Sequence, residues 1–189
     1  MGFLYETLNA VSGFVPIDKT RFSLIDDNLN SKFPIREYQI KSFSRFDYYM
    51  NNNFEGKPNK PTHLLYNMAT GSGKTLVMAG LMLYLYEKGF RNFLFFVHTN
   101  NILEKTKDNF LNKKSIKYLF ADRIVINSKE VLIKQVNNFD EADNRNINIH
   151  FTSIQKLHSD LVQNEKENAL SVEDFKDKKI VLLGDEAHH

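Results

Sequence analysis

The stretch that decides the fold is Met68-Ala-Thr-Gly-Ser-Gly-Lys-Thr75, together with the residues on either side of it. Before it, the short apolar run HLLYN at residues 63–67 predicts a strand. After it, the apolar pattern of residues 74–88, followed by Gly89, predicts a helix with a glycine just past its end. A strand, a glycine-rich turn and a helix in this order form the opening unit of a parallel α/β domain.

The composition of this loop predicts a phosphate-binding site. Two glycines allow the backbone to wrap closely around an anion, and the N-terminus of the following helix presents N–H groups to it. Lys74 would reach the β- and γ-phosphates of ATP, and the Thr75 hydroxyl would be a ligand of Mg²⁺. The pattern is that of the Walker A motif. The predicted nucleotide-binding residues are Thr70, Gly71, Ser72, Gly73, Lys74 and Thr75.

One position departs from the strict form of this motif, because Met68 stands where GxxxxGK[ST] has its first glycine. Helicase-like ATPases vary at that position, so the methionine indicates a subfamily of them and does not argue against the motif. The alternative is a glycine-serine turn with a chance GKT sequence. The strand predicted before the loop and the helix predicted after it both favour the motif.

An acidic motif at residues 185–189, DEAHH, follows the apolar run KIVLLG at residues 179–184. Strands of open α/β sheets bring such residues to the carboxyl edge, where ligands bind. Asp185 would hold Mg²⁺, Glu186 would position and activate the attacking water, and His188 would link the nucleotide site to a neighbouring domain or to nucleic acid. The alternative, a solvated acidic loop, loses weight because the phosphate loop precedes it in the same chain.

Strand and helix patterns alternate along the chain. Strands are predicted at residues 92–97, 123–126, 147–152 and 179–184, helices at about 36–51, 101–111, 128–137 and 153–163, and loops at 51–61, 137–146 and 163–177. Apolar strands alternating with helices indicate a mainly parallel sheet covered by helices on both faces.

Length and composition limit the alternatives. With 189 residues and a net charge of +2, the chain has the size of one domain, and its charge does not by itself indicate nucleic acid. The absence of cysteine excludes disulfide, zinc-thiolate and cysteine-nucleophile sites and fits the cytoplasm. The longest apolar run is too short for a membrane span, and the N-terminus lacks a signal-peptide pattern. Three histidines without ligand partners at metal spacing are expected to be structural: His98, His150 and His158.

With MATGSGKT and DEAHH in this order, the sequence resembles superfamily 2 helicases and translocases, and most of all the type III restriction (Res) subunit and type I restriction motors. The resemblance implies a RecA-like P-loop NTPase domain over residues 34–189 that is incomplete at its C-terminus. Residues 1–33 are then an N-terminal lead-in. Within Ile35-Arg-Glu-Tyr-Gln39, the resemblance implies that Gln39 reads the adenine edge and that Arg36 supports it.

Two further segments are similar to the nucleic-acid-contacting motifs Ia and Ib of this superfamily, namely FVHTNNIL at 96–103 and FTSIQKL at 151–157. The resemblance implies backbone contacts from Thr99, Asn100, Thr152 and Ser153. These four residues could equally cap helices, and both roles are compatible. A row of lysines could face DNA or could be an ordinary solvated face: Lys105, Lys107, Lys113, Lys114 and Lys117.

The resemblance implies the ATP-binding part of an ATP-dependent helicase or translocase that acts on double-stranded DNA. It also implies a second RecA-like domain and a nuclease region downstream, and a methyltransferase (modification) subunit as a possible partner. On its own the chain is expected to hydrolyse ATP very slowly and not to translocate. The alternatives are a P-loop ATPase or kinase unrelated to nucleic acid, and a non-catalytic remnant.

Overall fold

The computed structural model of the chain describes residues 4–12, 19–52, 62–163, 170 and 172–185. The helices are α1 (Leu4–Ser12), α2 (Lys19–Asp26), α3 (Glu37–Asn51), α4 (Lys74–Glu87), α5 (Asn100–Leu111), α6 (Ile154–Gln163) and α7 (Val172–Asp177). The strands are β1 (Asn92–Val97), β2 (Ile124–Ile126), β3 (Lys129–Val131), β4 (Ile133–Gln135), β5 (Ile147–Ser153) and β6 (Ile180–Asp185). Across these ranges no helix is long and apolar enough to cross a membrane.

Four of the strands form one parallel sheet in the order β4-β5-β1-β6. Its apolar strand β1 is paired on both sides, with β5 and with β6. Alternate residues of β1 point to opposite faces. Phe93, Phe95 and Val97 join the main core, whereas Leu94 and Phe96 lie on the other face.

Helices cover both faces of this sheet. The main core contains residues of α3, α4 and α5, and the smaller cluster around Leu94 includes Leu157 of α6 and Phe175 of α7. The prediction of an α/β fold with a parallel sheet between two helical layers is confirmed, and the arrangement is consistent with a RecA-like domain.

Helix α4 is buried over most of its length. Ten of its residues, all between Leu76 and Tyr86, are buried. An apolar surface all around a helix must be covered on every side, and here the sheet covers one side while α2 and α3 cover the other. Helices α2 and α3 approach α4 so closely at Gly80 that an added β-carbon there would lie 2.6 Å from Phe43 Cζ and 2.9 Å from Ile25 Cγ2.

Residues 19–33 of the lead-in share this core. Ile25 and Leu29 are buried in it, and Arg21 donates to the Asp47 carboxylate at 2.6 Å. Tyr84 of α4 donates to the same carboxylate at 2.8 Å, and burial together with the Asp47 interaction raises the pKa of this phenol. The domain boundary near residue 33 stays a prediction, but residues 19–33 pack as part of the domain.

Asn28 ties the lead-in to a distant part of the chain. Its side chain donates to the Val125 carbonyl at 3.1 Å and accepts from the Val125 N–H at 2.6 Å. Next to it, Leu29 forms an isolated antiparallel bridge with Phe120. Residues 28–29 therefore tie the chain just after α2 to the segment that follows α5.

The strand predicted at residues 63–67 is not present. Residues 62–69 have no regular secondary structure. Leu64 and Tyr66 pack partly against the main core, whereas Leu65 is 93% exposed. An apolar run becomes a strand only where a neighbouring strand accepts its backbone hydrogen bonds, and none of the described strands pairs with this segment.

The prediction for residues 123–137 is also wrong in two respects. Residues 124–126 pair antiparallel with residues 129–131 in a separate two-stranded sheet, and residues 133–135 form the edge strand β4 in place of the predicted helix. Asn127 and Ser128 both have positive φ, 52° and 61°. Two left-handed residues in succession close a two-residue hairpin whose twist matches that of the strands.

The other predicted elements are confirmed within one or two residues at their described ends. The loop at residues 137–146 is confirmed as well, but α7 lies inside the segment predicted as the loop 163–177. Of the loop predicted at 51–61, residues 53–61 lie outside the described residues.

The close approach at Gly80 predicts that Gly80→Ala destabilises the protein, although alanine has the higher helix propensity. The propensity gain is about 1 kcal/mol, whereas forcing a methyl group against buried Phe43 and Ile25 costs about 1–3 kcal/mol. Chemical denaturation measures the free energy of unfolding. Gly80→Ala combined with Phe43→Leu should lose less than the sum of the two single changes, and simple additivity would contradict the proposed clash.

Buried His150 predicts a pH dependence of stability. Its Nδ1 lies 3.1 Å from the Val136 carbonyl oxygen, and burial lowers its pKa. The unfolded state therefore binds the proton more readily, so the free energy of unfolding should fall as the pH drops below about 6.5. Lys156 and Asp160 are the nearby charges that act on the ring.

Two histidine substitutions test this prediction by chemical denaturation between about pH 7.5 and 5.5, the range in which histidine titrates. His150→Asn keeps a hydrogen-bond donor near the position of Nδ1 and should remove part of the decrease in unfolding free energy at low pH. His158→Asn, at an exposed position on α6, should leave the profile unchanged. Equal profiles for all three proteins would show that His150 does not cause the dependence.

Candidate functional site

The glycine-rich loop takes the shape that an anion site requires. Gly71 and Gly73 both have left-handed backbone conformations, with φ of 76° and 83°. Gly73 is the N-cap of α4, and no side chain there makes a capping hydrogen bond. The first N–H groups of α4 have no intrahelical acceptors, so they can be donated to phosphate oxygens.

Lys74 and Thr75 lie on the first turn of the buried helix. The Lys74 ammonium lies over the loop, with Nζ 3.2 Å from the Met68 carbonyl oxygen and 3.4 Å from that of Ala69. The charge is thus held beside the backbone that would surround a phosphate group. Thr75 is the next residue of the turn and is partly buried.

The loop is fastened to α3 through one carbonyl group. The Ser72 oxygen accepts from the Tyr38 hydroxyl at 2.7 Å and from Gln39 Nε2 at 3.0 Å. Gln39 Oε1 in turn accepts from the Arg36 backbone N–H at 2.9 Å, a hydrogen bond from the third residue of α3 back to its N-cap residue. Gln39 is only 3% exposed.

The structure places Gln39 against the phosphate loop and Arg36 beside Gln39 and Tyr38. Reading of the adenine edge by Gln39 stays a prediction, and its observed hydrogen bonds serve the loop and the helix start. Sequence reasoning missed Tyr38, although it stands within the same IREYQ segment. Its position on the first turn of the predicted helix, next to Gln39, was the available signal.

The carboxyl edge of the sheet gathers the remaining candidates. Val97 lies at the same level as Ser153 on one side and as Asp185 on the other. Asp185 ends β6 and is 8% exposed, so its carboxylate is held in the structure and not in a solvated loop. Glu186 and His188 lie outside the described residues.

The four predicted nucleic-acid residues differ in their surroundings. Thr99 and Asn100 are exposed; Thr99 is the N-cap of α5 but makes no side-chain cap hydrogen bond. Thr152 and Ser153 are buried, and Ser153 Oγ accepts from the Lys156 N–H at 3.2 Å, which caps α6. The capping alternative is therefore confirmed for Ser153, while the nucleic-acid contacts of all four residues stay predictions.

The residues present suit Mg²⁺ bound together with phosphate. The described ranges contain no cluster of three or more His, Cys, Asp or Glu side chains that could hold a metal alone. A hydroxyl such as that of Thr75 and a carboxylate such as that of Asp185 are hard oxygen ligands, and Mg²⁺ is commonly held by few protein groups plus substrate phosphates. The oxygen chemistry of these two side chains fits that pattern.

Two members of the lysine row have partners on the protein. Lys107 pairs with Glu104 at 2.8 Å, and Lys113 Nζ donates to the Asp122 carbonyl at 2.7 Å. These contacts favour the solvated-face interpretation for Lys107 and Lys113.

The geometry at Gly73 predicts that Gly73→Ala impairs phosphate binding, whereas Gly89→Ala does not. Both glycines have positive φ, so both alanine variants lose about 1 kcal/mol of stability or slightly more. Only at Gly73 would the new methyl group collide with Gln39 Nε2, at 2.5 Å. Calorimetric titration with tripolyphosphate and thermal unfolding separate the two effects; equal binding by both variants would contradict the assignment.

The comparisons with known proteins agree with this geometry. Residues 32–189 match the model of the family described as "Type III restriction enzyme, res subunit". Over 164 residues the chain is 45% identical to the probable type III restriction-modification enzyme HindVIP Res subunit of Haemophilus influenzae.

The alignment covers 85% of this chain and 32% of that relative, so the chain spans about a third of the relative's length. No solved structure matched the chain significantly. The family match over most of the sequence, together with the glycine loop at the start of α4 and Asp185 at the edge of the sheet, shows that the chain belongs to the Res subunit family of type III restriction enzymes.

Proposed function

We propose that this chain binds Mg²⁺-ATP at the phosphate loop and serves as the ATP-binding part of a motor that moves on DNA. The observation that carries the proposal is the loop itself. Two left-handed glycines lead into a helix whose N-terminus has no side-chain cap, and Lys74 is the first residue of that helix. The family membership supports the same function.

Each residue has a defined role in this proposal. The backbone of Thr70, Gly71, Ser72 and Gly73 surrounds the phosphates, and Lys74 neutralises the charge on the β- and γ-phosphates. Thr75 and Asp185 hold Mg²⁺, which supplies positive charge to the phosphoryl oxygens. Glu186 orients the attacking water and acts as its base, and His188 links the site to a neighbouring domain or to nucleic acid.

Double-stranded DNA is the proposed substrate of the motor. The support is the position of Thr99 and Asn100, which are exposed just beyond the end of β1, and the similarity to a probable restriction-modification enzyme. In this proposal Thr152 and Ser153 assist through the backbone at the start of α6, since their side chains are buried.

In this proposal the activity of the whole enzyme also requires three parts that the family resemblance implies. These are a second RecA-like domain, a nuclease region and a methyltransferase partner subunit. The domain supplying an arginine to the cleft would raise the rate of phosphoryl transfer by about 10³–10⁵ in related enzymes. A cytoplasmic location, expected from the absence of cysteine, belongs to the same proposal.

Lys74→Ala is the direct test of nucleotide binding. Loss of a charged hydrogen-bond donor costs about 1.5–3 kcal/mol, so the Kd for Mg²⁺-ATP should rise about 10- to 100-fold. Lys129→Ala, at an exposed position of β3, removes the same charge and should leave the Kd unchanged. Calorimetric titration measures both, and a Lys74→Ala protein that binds as tightly as the wild type would refute the site.

Hydrolysis with and without duplex DNA tests the motor assignment. We expect very slow turnover from this chain alone, because in this proposal the arginine that accelerates phosphoryl transfer comes from a second RecA-like domain. DNA-stimulated turnover that Lys74→Ala abolishes would instead mean that copies of the chain complete one another's sites. Nucleotide binding with no response to DNA, even with the proposed second RecA-like domain and nuclease region added, would favour an ATPase unrelated to nucleic acid.

A further inference from the structure

We infer that Tyr38 is a positioning residue of the phosphate loop, acting on the phosphate-binding backbone and not on the nucleotide base. The inference rests on the proposed function of the loop and adds a residue that neither the motifs nor the comparisons assign. Its basis is the hydrogen bond of 2.7 Å from the Tyr38 hydroxyl to the Ser72 carbonyl oxygen, from one helix to a loop 34 positions later in the chain.

The Ser72 oxygen accepts two side-chain hydrogen bonds at once. Besides Tyr38, Gln39 Nε2 donates to it at 3.0 Å. A carbonyl oxygen has two lone pairs, so both are used by α3. With two donors on one acceptor, the direction of this C=O group is fixed by α3 and not by the glycines on either side of it.

The direction of this carbonyl sets that of an N–H group in the loop. A trans peptide is planar, and its C=O and N–H point to opposite sides. Because the Ser72 oxygen faces α3, the N–H of the same peptide unit, which belongs to Gly73, faces away from α3. Gly73 is the N-cap of α4, where N–H groups are available to an anion.

Helix α3, which holds the loop through Tyr38 and Gln39, is rigid, whereas the glycine loop alone is not. Glycine gives the loop more conformational freedom than other residues, and ordering such a loop at the moment of binding lowers affinity. Helix α3 is locked to α4 by the contact of Phe43 with Gly80. Tyr38 therefore holds the loop from the same rigid unit that carries Lys74.

Arg36 favours the donating role of Tyr38. Its Nη1 lies 3.3 Å from the Tyr38 hydroxyl oxygen, so the oxygen accepts from the guanidinium while the hydroxyl proton is donated to Ser72. A positive group on the oxygen strengthens the hydroxyl as a donor. Tyr38 is 39% exposed, so removal of its hydroxyl leaves the core intact.

Tyr38→Phe tests the inference with two probes, Mg²⁺-ATP and inorganic tripolyphosphate, in calorimetric titrations of the full chain. Since tripolyphosphate has no base, a loop-positioning role predicts the same rise of Kd for both, about 2- to 10-fold for one hydrogen bond. Tyr48→Phe, near the other end of α3, is the matched control and should change neither Kd. Thermal unfolding of all three proteins checks that each variant is folded at the temperature of the titration.

A second readout reports the loop directly. In the nucleotide-free protein, Tyr38→Phe should shift the amide resonance of Gly73 and speed its hydrogen exchange, and Tyr48→Phe should not. Weaker ATP binding with unchanged tripolyphosphate binding would assign Tyr38 to the base and overturn the inference, as would no change in either Kd. A wild-type chain that binds neither probe would instead refute the phosphate site itself.

Discussion

The burial of α4 on all sides is the constraint on which the rest of the structure depends. Between Leu76 and Tyr86 this helix has buried residues at ten positions, and each large apolar side chain contributes about 1.5–3 kcal/mol when it leaves water. A helix of this kind is stable only between two layers, so the sheet, α2 and α3 must all be in place around it. Because the phosphate loop is continuous with its first turn, the position of the loop is fixed by the hydrophobic core.

The sheet places residues from distant parts of the sequence at one edge. Strands β5, β1 and β6 are parallel and in register, so Ser153, Val97 and Asp185 end at one level. The segments that follow parallel strands meet at the carboxyl edge, which is where open α/β sheets bind ligands. The register of β6 against β1 therefore brings the carboxylate of the acidic motif to this edge.

Much of this arrangement could be predicted from sequence because the deciding signals are local. The glycines, Lys74 and the apolar pattern of α4 lie together in one segment, and Asp185 follows directly on an apolar strand. The hairpin of residues 124–131 was not predicted, because its turn residues Asn127 and Ser128 have positive φ although neither is glycine. Whether residues 62–69 pair depends on segments that are distant in sequence. Tyr38 was overlooked for the same reason, since its acceptor Ser72 is visible only after folding.

The topology of β1 has a consequence for how the chain is made. Both neighbours of this apolar strand come later in the sequence, because β5 ends at Ser153 and β6 starts at Ile180. During synthesis on a ribosome, at about 5–20 residues per second, β1 leaves the exit tunnel seconds before either partner exists. Parallel pairing over such separations is slow, and an unpaired apolar strand invites association with other chains. The nascent protein thus passes through a stage in which its future central strand is bare, and a chaperone that binds extended apolar segments would act on β1 at that stage.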